Sequence, residues 1–221
     1  MQVGVCVASH IGDVDYVVRA EELGYTHAWL ADSQMIWSDC YATLALAAVR
    51  TERIRIGTGV AVTGTRPAPV TAASIATINA LAPGRTFLGV GAGNTALRIM
   101  GEPPQRIAAF DRYLETLRPL LRGEEAMHAT RDGEVPIRHL MPDQGFVRFE
   151  PRIPLYVSGF GPRSLALAGR HGDGAVIALP LGADYVGVAR QAIEAGALAA
   201  GRELDDFPLT ALTQISVLDP G

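Results

Sequence analysis

Lysine is missing from this chain of 221 residues, so all 19 of its basic side chains are arginine. That excludes Schiff-base chemistry and a lysine-type P-loop, since each needs an amine that a guanidinium cannot replace. Cysteine is scarce. Cys6 and Cys40 are too few and too far apart for a disulfide scaffold or a zinc site, so each reads as a small buried hydrophobe and no metal is expected. No run reaches 18 apolar residues free of charge, and Met1-Gln2 leads into a strand without a signal-peptide layout. A cytoplasmic protein without a membrane span is expected. The net charge is only −4 and no block of like charge occurs, which argues against nucleic acid or a polybasic membrane contact. No linker interrupts the chain, so residues 1–221 are expected to form a single domain.

What is present is a repeated alternation of apolar runs and helical patterns, clearest in the stretch 55–94. Ile54, Ile56, Val60 and Val62 form a strand interrupted by Gly57 and Gly59, which predicts unusual backbone geometry toward its carboxyl end. Arg66-Pro67 and Pro69 open a helix whose Ala72, Ala73, Ile75, Ala76, Ile78, Asn79 and Leu81 give a small-residue face, until Pro83-Gly84 stops it. Residues 86–90 are a buried-type strand, and Gly91-Ala92-Gly93-Asn94 is its exit. Strand, helix and strand in that spacing form a parallel unit with a right-handed crossover.

The rest repeats this unit. Strands are predicted over 3–8, 27–30, 155–158, 174–178 and 209–217. Helices are predicted over 14–23 with Asp13 as cap, from Asp39 through 49, and over 105–121, 163–171 and 183–200. Between 123 and 152 the periodicity dissolves, and this segment is read as an insertion over the mouth of a barrel. Seven strands are one short of a closed eight-stranded barrel.

One loop has the chemistry of an anion site on its own residues. In Ser158-Gly159-Phe160-Gly161-Pro162-Arg163 two glycines follow a strand, proline suits a first helical position, freed amides face an anion, and Arg163 adds a charge that can fork onto phosphate. The alternative is an ordinary glycine turn. Gly89-Val90-Gly91-Ala92-Gly93 is not a dinucleotide fingerprint, because it follows the fourth strand and Asp111 falls inside a helix. It reads as a loop leaving room for a bulky ligand, with Asn94 or Thr95 as hydrogen-bond partners. Asp32-Ser33 lies at a strand's carboxyl end, with a loop cap as its plainer reading. His10 is a candidate acid or base in a loop, whereas His27 stands at the wrong end of its strand.

The segments IGTGV, TRPAPVTAASIATINALAPGR and FLGVGAGN, in that order, resemble the bacterial-luciferase-like flavin and deazaflavin oxidoreductases. Within them the spacing is most similar to the coenzyme F-420 branch that contains methylenetetrahydromethanopterin reductase. The resemblance runs from Val3 to about Val217. It implies a TIM-type β/α barrel, here expected to be truncated after its seventh strand. It also implies an F-420-dependent hydride transfer on a small organic substrate, with an FMN-dependent monooxygenase fed by a separate reductase as runner-up. A non-catalytic flavin-binding protein is the third reading, and a homodimer is implied by family analogy.

The resemblance places a non-proline cis bond at Gly59-Val60, next to Thr58, as a support behind the cofactor ring. It gives the loop 158–163 the cofactor phosphate, and Asp32 and Ser33 the ring. Serine stands at Ser33 where the family often has histidine, and Cys6 stands where the pterin reductases carry an acid. Neither residue can take over the usual role unchanged, so Cys6, His10 and Ser33 are the weak catalytic candidates.

Overall fold

The computed structural model describes residues 2–178 and 182–213. They form two compact units that divide between Tyr156 and Val157. The first holds four parallel strands in the order β1 (Gly4–Val7), β2 (His27–Leu30), β3 (Arg55–Val62) and β4 (Thr86–Gly91). Register runs Cys6 to Trp29, Trp29 to Gly57 and Gly57 to Phe87, so these residues share one level of the sheet. At the end of the unit Leu88 donates to the carbonyl of Pro154, just ahead of β7 (Leu155–Ser158).

The glycines of β3 have a packing reason that their sequence pattern alone does not show. Trp29, Phe87 and Tyr156 form an aromatic cluster with ring centroids 4.3, 5.3 and 5.7 Å apart. A Cβ at Gly57 would enter the Phe87 ring, and one at Gly89 would stand 3.0 Å from Trp29 Cζ3. Two strands thus give up side chains so that their neighbours can carry large ones.

The helices of this unit are α1 (Asp15–Glu22), α2 (Cys40–Arg50), α3 (Ala68–Leu81), α4 (Asn94–Ile99) and α5 (Ile107–Leu120). In α3 most of the expected face is buried, with Ala72, Ile75 and Ala76 fully enclosed, but Ala73 is half-buried and Leu81, at the helix end, is exposed. Each large aliphatic side chain sealed this way contributes about 1.5–3 kcal/mol. Asp13 does not cap α1. The cap position is Val14, and Asp13 accepts only from Asp15 N at 3.3 Å. The chain ends opposite the site are tied by two charged clamps. Glu21 accepts from the amides of Glu52, Arg53 and Ile54, and Arg85 donates to the carbonyls of Ala48, Thr51 and Ile54.

Residues 123–152 are more regular than their composition suggests, because β5 (Ala126–Thr130) and β6 (Gly133–Ile137) pair as a hairpin. Its contacts run to the helices: Thr116 of α5 donates to Met127 O, Arg148 N donates to Ala76 O, and Asn79 donates to the carbonyls of Arg148 and Pro151. The Glu150-Pro151 bond is cis.

The second unit comprises the end of β7, α6 (Pro162–His171), β8 (Gly174–Ala178), α7 (Ala183–Ala199) and β9 (Leu209–Leu212). β8 and β9 are parallel, from Ala175 opposite Leu209 to Ala178 opposite Leu212, and Gly159 N reaches Val176 O. β9 realises the first part of the strand expected over 209–217, and the remainder beyond residue 213 lies outside the described residues. Gly169 and Gly196 let α6 and α7 cross backbone to backbone, since a Cβ on either would strike the other helix's carbonyls. Arg202 then donates to Gly169 O at 2.6 Å and Gly172 O at 2.8 Å, placing its charge on the carboxyl end of α6. Among the described residues no helix is long and apolar enough to cross a membrane.

Candidate functional site

In the first unit the polar residues gather where β2, β3 and β4 end. Asp32, two residues past β2 and 4% exposed, accepts from Val62 N at 3.0 Å and Gln34 Nε2 at 2.7 Å. It also takes Arg66 Nη1 on both oxygens, at 3.0 and 2.9 Å. The other arm of Arg66, Nη2, meets Asp39 at 2.6 Å, and its guanidinium lies 4.9 Å above the Tyr41 ring. Burial alone would lower the Arg66 pKa, but the charge and hydrogen bonds of Asp32, with Tyr41 and Asp39, hold it above its ordinary value. Asp39 meanwhile caps α2 by accepting from Ala42 N. Ser33 is half-buried beside this cluster, and its carbonyl receives the amides of Ile36 and Trp37.

Gly59-Val60 is a cis peptide bond, at the position the sequence resemblance indicated. Here β3 shifts register against β4 and surfaces: Gly59 and Val60 are half-buried between the buried Thr58 and Ala61. Thr58 itself does not reach the surface. It is 0% exposed, donates to Gly89 O and accepts from Gly89 N, so its hydroxyl repairs the ladder across the shift. On β4's exit, Gly93 has φ +68, and a Cβ there would occupy the space of Val62. Asn94 and Thr95 are exposed and begin the short helix α4, where the sequence suggested a loop. Thr63 donates to Gly91 O and to Gln105, fastening the following loop.

Cys6 Sγ lies 3.9 Å from the Gly59 carbonyl. The residue is exposed along β1, yet the thiol is crowded enough that burial raises its pKa. His10 is an exposed loop residue, and its carbonyl receives Asp13 N. His27 opens β2 at the end away from these groups. Burial first, and the Arg55 charge second, lower its pKa to about 4.

The second unit carries the glycine loop. Ser164 Oγ accepts from the amides of Phe160 and Gly161 at 3.2 and 3.3 Å and donates to Gly161 O at 2.9 Å. Tyr185 of α7 donates to Phe160 O at 3.0 Å. Pro162 has no amide and Leu165 N is spent on Gly161 O, so the helix start leaves the amides of Arg163 and Ser164 facing outward. Arg163 is exposed and, among the described residues, has no ion-pair partner. Ser158 is half-buried, and Gly159 is enclosed against Ser164 and Leu165, where a Cβ would lie 2.9 Å from backbone. At Gly161 a Cβ would meet nothing within 4 Å. A cationic, amide-lined, open loop is the donor set a phosphate needs, so the residues present fit that group.

The sequence marked Asp32, Ser33, Thr58, Gly59, Val60, Asn94, Thr95 and the loop 158–163, and Asp39 as a helix cap, but not the contacts made by Arg66 or Tyr185. Arg66 was visible only as a helix opener. A lone arginine four residues after a site strand, in a segment with no nearby acid, was the available signal.

Parallel strand–helix alternation, with polar residues at strand ends and an anion-ready loop, defines a β/α scaffold. Residues 11–220 match the family described as luciferase-like monooxygenase, and the chain belongs to that family. It is 32% identical over 206 residues to the 5,10-methylenetetrahydromethanopterin reductase of Methanolobus tindarius, covering 91% of this chain and 60% of that one. It is 31% identical over 224 residues to an F-420-dependent glucose-6-phosphate dehydrogenase of Beutenbergia cavernae, covering 91% and 62%. The fold matches the coenzyme F-420-dependent tetrahydromethanopterin reductase of Methanopyrus kandleri with a TM-score of 0.76 at 25% identity, covering 96% of this chain and 65% of that one. The fold is thus the TIM-barrel-like type expected. The chain spans about three fifths of the length of the curated relatives it matches.

Proposed function

We propose that this protein is a coenzyme F-420-dependent oxidoreductase acting on a small organic substrate. The observation that carries the choice of cofactor is kinship: relatives matched over nine tenths of this chain include a dehydrogenase that is F-420-dependent by name. When bound, the deazaflavin supplies the hydride chemistry. In the first unit, the surfaced Gly59-Val60 backbone supports the ring, Ser33 lies beside its polar edge, and Asn94 and Thr95 offer exposed hydrogen-bonding groups across the β4 exit. In the second unit, the amides of Arg163 and Ser164 and the Arg163 guanidinium hold the phosphate, while Ser158, Gly159, Phe160, Gly161 and Pro162 shape the loop around it. Cys6, with its pKa raised, stays a thiol and supplies no carboxylate-like acid. A second copy of the chain as partner follows family analogy.

The test is a titration of F-420 and, separately, FMN onto the protein, read by fluorescence, with solution mass measured on the same sample. Binding of F-420 but not FMN supports the reading. Preferential FMN binding favours a monooxygenase served by a separate reductase, and retention of either without turnover favours a carrier. Gly161→Asp probes the phosphate loop directly. Space is open at that position and φ is −109, so folding tolerates the side chain. A carboxylate there repels a phosphate, lowering affinity by about tenfold or more. The thermal midpoint should not move. Unchanged affinity in the folded variant would remove the loop from the phosphate site.

A further inference from the structure

The cluster around Asp32 points to a role different from the one its position first suggests. A carboxylate has about four lone-pair sites. In Asp32 four contacts fill them: Val62 N, Gln34 Nε2 and both approaches of Arg66 Nη1. At 4% exposure, the group has neither surface nor acceptor capacity to spare for a ligand. Forming a bond to a cofactor ring would mean breaking one of these, and removing one partner of a buried ion pair is costly.

What the four contacts do instead is join element ends. Val62 is the last residue of β3, two and three residues beyond the surfaced Val60 and Gly59, with the buried Ala61 between. Arg66 lies just ahead of α3, and through Asp39 it also grips the cap of α2. On its far side, Val62 is hemmed in by Gly93 and packs with Ala96, Leu97 and Met100. The exit of β3 is therefore held from two sides. One side is an apolar contact with the β4 exit, and the other is a fork of charge anchored on the β2 exit.

We propose that Asp32 and Arg66 form a single positioning device that fixes the β3 exit through the Val62 amide, and that Asp32 is neither a ligand of the cofactor nor an acid or base. The inference rests on the reading of this strand end as the cofactor's ring side.

Two readouts on the 221-residue chain test it. The first is F-420 affinity in a cycle of Asp32→Ala, Arg66→Ala and the double variant. A device acting as a unit loses about tenfold in each single variant and no more in the double, whereas a direct ring contact by Asp32 multiplies the two losses toward about a hundredfold. The second needs no cofactor: the exchange rate of the Val62 amide in the apo protein. It rises in both single variants if the device holds Val62, and is unmoved in Arg66→Ala if Asp32 works alone. Should the alanine variants not fold, Asp32→Asn and Arg66→Gln keep the shapes and close the same cycle. Multiplying affinity losses, or a Val62 amide indifferent to Arg66, overturns the proposal. If the parent chain binds no F-420, the cofactor assignment fails while the amide measurement still decides the device.

Discussion

At the scale of single residues, Cys6 is the sharpest case. Its thiol faces the Gly59 carbonyl, has no basic neighbour in sequence, and is pushed up by desolvation, so little thiolate forms near neutrality. A thiol reagent should therefore label Cys6 slowly in the folded protein despite its place on an exposed strand, and Cys40, fully buried, more slowly still. Labelling of Cys6 as fast as a free thiol in solution would show that the desolvation is not felt. The same scale shows what a sequence can disclose about a site. The loop 158–163 was legible because adjacent residues carry its whole chemistry. The Asp32 device was not, because its partner Arg66 lies 34 positions away and only the parallel pairing of β2 with β3 joins them. Thr58 was legible as a site neighbour and not as a buried ladder repair, since nothing local marks where a register shift falls.

At the scale of elements, the strands and long helices of the alternating pattern among the described residues were readable from apolar runs and their stops, and the misses were short. α4 has six residues and starts from a left-handed glycine, so periodicity had too little length to register. The hairpin of β5 and β6 is mostly exposed, leaving no apolar alternation to read. The α6–α7 crossing was equally hidden, because two glycines in helices look like weak points until they face each other. They are the opposite here. Gly169→Ala or Gly196→Ala should destabilise the protein by about 1–3 kcal/mol through overpacking, although alanine is the better helix former. Chemical denaturation would measure it, and a variant as stable as the parent would mean the helices can part without loss.

At the scale of the whole molecule, the amino end of the sheet sets a pH limit. The folded His27 titrates near 4 and the unfolded one near 6.5, so between these values the unfolded chain binds more protons. The contribution of this residue to stability is complete above about 6.5 and is lost as the pH falls to about 4. The thermal midpoint should decline across that window, and His27→Gln should flatten part of the decline. An identical slope in the variant would assign the acid sensitivity to other groups.

The aromatic cluster gives the molecule a property of another kind. Of its two tryptophans, Trp37 is 45% exposed and answers to quenchers in solvent, while Trp29 is 8% exposed against Phe87 and Tyr156. Trp29 also borders Gly59, where a Cβ would stand 2.7 Å from its own Cβ. A chromophore resting on that backbone lies within energy-transfer range of its indole. The fold thus carries its own donor fluorophore beneath the surfaced Gly59-Val60 backbone, in a chain whose lack of lysine leaves amine-reactive dyes almost nowhere to attach.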